Sequence, residues 1–138
     1  MKLDAVLFDL VLNLAKESPR KRMHYDLRTQ STEDGWSDLS QRMINVLMPE
    51  TVIPIHRHND TSETVVVCRG TVREEFYDEK GKKLAEFVLQ AGGKCPGVQV
   101  PKGVYHTCVC LEAGSVIFEA KDRPYDPNET EDFLVLEQ

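Results

Sequence analysis

The spacing of apolar residues changes period once along this chain. Leu3, Val6, Leu7, Leu10, Val11 and Leu14 recur at i, i+3, i+4, i+7, i+8 and i+11, the spacing of a helical face. This predicts an amphipathic helix over residues 2–17, serving packing. Ser18-Pro19 ends it, because a residue before proline avoids the helical region. Residues 20–37 read as loop. Arg42–Leu47 fits a helix or a strand, and its shortness and strand-rich surroundings favour strand. From residue 51 onward, short segments rich in valine and threonine alternate with turns. The strands expected are Thr51–His58, Glu63–Cys68, Thr71–Tyr77, Lys83–Leu89, Gly97–Val100, Tyr105–Leu111 and Ser115–Ala120. Residues 121–138 are acidic with two prolines and read as an irregular tail, with a short terminal strand at Phe133–Leu136. This rhythm of short strands indicates a mainly all-β sandwich or barrel behind an N-terminal α-helix.

Composition narrows the function classes. A chain of 138 residues is expected to form one domain with a real core. The formal net charge of −6 argues against a general nucleic-acid binder. No apolar run approaches the roughly 18 residues of a membrane span. Asp4 and Asp9 interrupt the N-terminal apolar run and no small-residue cleavage site follows, so a cytoplasmic location is expected. The cysteines at 68, 95, 108 and 110 lack CxxC spacing and are read as reduced thiols. Cys108 and Cys110 are expected to be small buried residues on one strand face.

Candidate chemistry concentrates in Pro54–Gly70. His56 and His58 are two apart, so on a strand they share a face. Asn59–Ser62 is turn-like, and a strand starting at Glu63 can return a carboxylate to the same point. His106, opening a later strand, supplies a fourth donor. Three imidazoles and a carboxylate suit a divalent transition metal. The dense basic segment Arg20–Arg28, with Arg42, is a candidate anion-binding edge, since guanidinium groups grip phosphate and carboxylate in a bidentate way.

These residues resemble the cupin superfamily. Its first motif, G(X)5HXH(X)3-4E(X)6G, is matched by His56, His58, Glu63 and Gly70, with Glu50 in place of the first glycine. Its second, G(X)5PXG(X)2H(X)3N, is matched by Pro101, Gly103 and His106, with Cys95 and Cys110 at the glycine and asparagine positions. Ser18-Pro19-Arg20-x-Arg22-x-His24-x-x-Leu27, Gln41-Arg42-x-x-Asn45-x-Leu47-x-Pro49 and Pro124-Tyr125-x-Pro127 are similar to the WbuC family. These are small cupin-fold metalloproteins associated with bacterial surface-polysaccharide gene clusters.

The resemblance implies a cupin-type double-stranded β-helix or jelly-roll barrel. It implies a single domain over 1–138: helix and loop extension at 1–37, barrel at 38–120, tail at 121–138. It implies one divalent metal (Zn, Fe, Mn or Ni) held by His56, His58, Glu63 and His106. The function it implies is action on a sugar or sugar nucleotide, isomerase- or epimerase-like. An iron-dependent dioxygenase and a non-catalytic metal- and sugar-binding protein are the alternatives. Tyr105, Glu74 and His24 are the candidate proton-moving residues; Arg20, Arg22 and Arg42 are the candidate substrate-binding residues. A homodimer is compatible with exposed apolar strands; nucleic-acid and membrane partners are not expected.

Overall fold

The computed structural model describes residues 1–28 and 38–133. One helix, α1 (Ala5–Glu17), precedes ten strands: β1 (Arg22–Asp26), β2 (Gln41–Leu47), β3 (His56–His58), β4 (Glu63–Arg69), β5 (Thr71–Tyr77), β6 (Lys83–Gln90), β7 (Gly97–Val100), β8 (Tyr105–Cys110), β9 (Ser115–Lys121) and β10 (Thr130–Asp132). Two five-stranded antiparallel sheets form, in the orders β1-β2-β9-β4-β7 and β10-β3-β8-β5-β6. They face one another as a jelly-roll barrel. Among the described residues no helix is long and apolar enough to cross a membrane.

Strand alternation sends side chains to two separate cores. Inward positions of both sheets (Leu47, Val65, Val67, Val72, Leu89, Val100, Cys108, Cys110 and Ile117) fill one end of the barrel. Outward positions of the first sheet (Ile44, Val46 and Val116) pack beneath Phe8, Val11 and Ala15 of α1. Cys108 and Cys110 are thus buried on one face of β8, as expected.

The helix forms where the periodicity placed it, but it buries a different stripe. Asp4 caps it, its carboxylate accepting from Leu7 N–H at 3.1 Å. Phe8, Val11 and Ala15 are buried, whereas Leu3, Val6, Leu10 and Leu14 are exposed, Val6 by 78%. The helix is apolar over more of its circumference than one sheet can cover, and both stripes satisfy the 3.6 period. The distinction is testable in chemical unfolding. Phe8→Ala is expected to cost about 3 kcal/mol; Leu10→Ala is expected to change stability by less than about 0.5 kcal/mol. Equal losses would refute the assignment of the buried stripe.

Two further expectations are corrected. Arg22–Asp26, assigned to a loop, is a strand paired along its whole length with β2. Met23, Tyr25 and Leu27 alternate with Arg22, His24 and Asp26, and the apolar set packs against the helix core, so the segment carries a period-2 signal beneath its charge. Thr51–His58 is strand only over His56–His58, because Pro54 lacks the N–H a ladder needs. In the tail, β10 pairs with β3 at Thr130↔His58, Glu131↔Arg57 and Asp132↔His56. The segment read as a terminal strand lies outside the described residues beyond Phe133, as does the loop 29–37.

Candidate metal centre

β3 is short, and both its neighbours serve the site. His56 and His58 point to the barrel interior while Arg57 points out, where it pairs with Glu131 at 2.8 Å. On the next strand, His106 stands in register with His56. A tight turn at Pro101–Gly103 brings it there. Gly103 adopts φ +81°, a conformation that favours glycine, and its N–H donates to His58 O at 2.8 Å. The second-motif turn is therefore tied to the first-motif strand.

The three imidazoles converge. Ring centroids lie 4.4 Å apart for His56–His106, 5.0 Å for His56–His58 and 5.7 Å for His58–His106. One nitrogen from each lies within 4.8 Å of the other two, close enough for a single ion. The outer nitrogens of two rings are occupied. His56 Nδ1 is 2.7 Å from Pro54 O and His106 Nδ1 is 2.9 Å from Val104 O. A carbonyl only accepts, so each Nδ1 carries the hydrogen and each Nε2 presents a lone pair to the interior. This is how metal-bound histidines are oriented by their outer hydrogen bonds.

Glu63 stands beside the third ring. His58 Nε2 is 3.2 Å from a Glu63 carboxylate oxygen. Its Nδ1 lies 3.2 Å from Thr130 Oγ1 and 3.4 Å from Lys121 Nζ. Burial, the largest single influence, opposes ionising Glu63, but the hydrogen bond from His58 together with the nearby charges of His106, His58 and Lys121 outweighs it, and the carboxyl titrates below its ordinary range. Glu63 is thus an anion beside the histidine triangle. Three imidazoles and one carboxylate match the ligand chemistry of a divalent transition ion. Burial also holds His56 and His106 below the ordinary imidazole range, His106 at about 4.

The triangle forms one wall of an interior pocket of about 580 Å³, lined also by Arg20, Arg22, His24, Asn45, Glu74, Cys108, Glu119 and Lys121. Arg22 is anchored at the mouth, donating to Thr51 Oγ1 at 3.0 Å and Val52 O at 3.1 Å. His24, two residues along the same strand face, lines the pocket from an exposed position. Glu74, from β5, is 1% exposed, and its Oε2 is buried without a hydrogen-bond partner. Burial first, then the Glu63 charge, push the Glu74 carboxyl well above its ordinary range. The same two causes raise Glu119 to about 8. Burial lowers the Lys121 ammonium. Glu119 is therefore held as a neutral acid near pH 7, and Glu74 shifts in the same direction.

Two residues singled out from the sequence stand elsewhere. Tyr105 adjoins His106 and so faces the other side of β8; its ring packs on Phe133 at 5.3 Å, with the Arg57 guanidinium 4.6 Å away. Arg42 sits between Gln41 and Met43, which line the pocket, and is exposed on the opposite face. Strand alternation decides both. Conversely, Asn45, Glu119 and Lys121 line the pocket without having been singled out. A signal was present. Ile117, Glu119 and Lys121 share one face of β9, and two charges continuing a buried apolar series mark a site rather than a core.

Two facing antiparallel sheets, with this histidine triangle inside, are the cupin fold. By sequence the chain belongs to the family described as a domain of unknown function (DUF6016), whose profile matches residues 3–89. No protein of curated function matches it. Among solved structures it is similar to the capsular polysaccharide assembling protein CapF from Staphylococcus aureus, with a TM-score of 0.65 and 20% identity over 86% of this chain and 33% of that one. It is also similar to an oxalate oxidase in complex with the substrate analogue glycolate (TM-score 0.60, 16% identity, 77% of this chain and 53% of that one). A third is an oxalate decarboxylase from Bacillus subtilis (TM-score 0.57, 19% identity, 80% and 31%). The chain spans about one third to one half of the length of these proteins. At such identities the likeness establishes the fold.

Proposed function

We propose that this chain is a single-domain, metal-binding cupin acting on a sugar or sugar nucleotide in bacterial surface-polysaccharide synthesis, by isomerase- or epimerase-like chemistry. The observation that carries this reading is one pocket holding three convergent imidazoles inside and the cations Arg20 and Arg22 at its mouth. The similarity to CapF, named for capsular polysaccharide assembly, and the WbuC-like segments support the pathway. His56, His58, His106 and Glu63 hold the ion. When bound, a divalent transition metal supplies Lewis acidity toward a carbonyl or hydroxyl oxygen.

The chain's own residues do the rest. Arg20 and Arg22 hold the anionic part of the ligand at the mouth, with His24 beside them. Glu74 and Glu119, both raised above the ordinary carboxyl range, stand on inward strand faces, which suits them to donate or accept a proton at the bound sugar. They replace Tyr105 in that role, since Tyr105 faces away. Barrel walls of Ile53, Val65 and Met43 limit water around the reacting carbon.

Isothermal titration with a uridine-diphosphate-linked hexose tests the assignment. The wild type is expected to bind, and Arg22→Ala to weaken binding by about 10-fold or more with metal content unchanged. Absence of binding by a metal-replete protein to every nucleotide-linked sugar tried would overturn the sugar reading. Oxygen uptake with iron bound would favour the oxygenase alternative.

A further inference from the structure

Two exposed cysteines, far apart in sequence, stand just past the end of the paired stretch of two neighbouring strands. β4 and β7 are antiparallel neighbours with Thr64 opposite Gln99, Val65 opposite Val98 and Val66 opposite Gly97. Val67 N–H donates to Pro96 O at 2.8 Å, which carries the register one step further. Continued one residue more, the same register leads to Cys68 and Cys95.

Their backbone setting is suited to a covalent link. The Cys95 carbonyl turns away from β4 and accepts from Gln90 N–H at 3.1 Å. Continuing the register in this way assigns Cys68 and Cys95 to a non-hydrogen-bonded position, where facing Cα atoms are in general about 4.5 Å apart. That lies within the range of roughly 4.4–6.8 Å that disulfides span. A bulge opposite β9 falls at Cys68, yet the alternation of β4 persists: Val65 and Val67 are buried, Val66 and Cys68 exposed. Side chains on this outer face do meet across the two strands, since Thr64 Oγ1 donates to Gln99 Oε1 at 2.6 Å. The Cys95 thiol lies along the same face, 3.5 Å from Gly97 O. The other two cysteines, Cys108 and Cys110, are buried in the barrel and do not compete.

We propose that Cys68 and Cys95 are a reversible thiol–disulfide pair that clasps the edge strand β7 to β4. With a small-molecule disulfide such as oxidised glutathione as oxidant, the thiolate of one cysteine attacks a glutathione sulfur, and one glutathione thiolate leaves. The second cysteine thiolate then attacks the protein sulfur of the mixed disulfide. The Cys68–Cys95 bond forms and a second glutathione leaves. Two protein thiols are oxidised, one glutathione disulfide is reduced, and the protons released by the cysteines pass to the glutathione thiolates.

The experiment treats the full, metal-replete chain with oxidised glutathione. The intact mass is expected to fall by two hydrogens, and the thiols titrated after denaturation to fall from the four of the sequence to two. A proteolytic map should join the Cys68 and Cys95 peptides, and dithiothreitol should reverse all three changes. The oxidised form should melt several degrees higher, because the link closes a loop in the unfolded chain. Cys68→Ser and Cys95→Ser should each stop at one glutathione adduct on the remaining exposed thiol. An unreacted wild type, a wild type ending as a persistent glutathione adduct, or a link between two chains would each overturn the proposal.

Discussion

Replacing His56, His58 or His106 by alanine, one at a time, is expected to strip the protein of stoichiometric metal. Each ring supplies one of three nitrogens that lie within 4.8 Å of one another. Two nitrogens and a carboxylate leave an ion short of the donors a closed site offers. The expected loss of affinity therefore exceeds the roughly 10–100-fold that removal of an outer hydrogen-bond partner causes. The fold should survive, since these rings line a pocket rather than the apolar core. Elemental analysis of the four proteins, each purified without added metal, measures the effect, and circular dichroism controls for folding. Stoichiometric metal in all three variants would refute the ligand assignment. The same site has a signed pH dependence. A proton and a metal compete for each Nε2. Burial holds His56 and His106 below the ordinary imidazole range, His106 at about 4. Affinity is thus expected to fall as pH drops through the interval from the ordinary imidazole value of about 6.5 toward 4.

Gly70→Ala is expected to destabilise the barrel by about 3 kcal/mol or more, lowering the melting temperature by roughly 10 °C. Gly70 turns β4 into β5 with φ +85°, which costs an L-residue about 1–2 kcal/mol. The larger effect is collision. An added Cβ would overlap Ser115 Oγ and stand 2.9 Å from the Ser115 Cα. Ser115 is fully buried. Its hydroxyl accepts from Thr71 N–H at 3.0 Å and lies within donating distance of Glu112 O at 2.7 Å. Moving it aside breaks the ties between two turns. The double variant with Ser115→Ala should recover little, because the backbone contact remains. Denaturant unfolding measures both; a loss below about 0.5 kcal/mol in Gly70→Ala would show that the turn yields.

The site was legible to the extent that its residues are local. His56, His58 and Glu63 sit on one short stretch of chain, and two-residue spacing on a strand is enough to put both rings on one face. His106 was legible through the Pro101–Gly103 turn before it. The oriented nitrogens were not, because Pro54 O and Val104 O act only once the backbone is folded. Neither was the acidic pocket. Glu74 and Glu119 come from different sheets, and their raised titration follows from shared burial near Glu63.

Errors in reading arose where one pattern admitted two geometries. Tyr105 and Arg42 were one residue off the inward face, and a period of two forgives no such shift. The helix offered two apolar stripes, and only the sheet beneath it chose Phe8, Val11 and Ala15.

By itself the sequence determined the strand rhythm, the helix, the turn glycines and the candidate metal-site donors, because these depend on neighbours within a few residues. The tertiary structure alone decided which helix face is buried and which charges enter the pocket. Those outcomes depend on the pairing of β3 with β8, β9 with β2 and β4, and β4 with β7. Strand pairing joins residues tens of positions apart, and no local period records it.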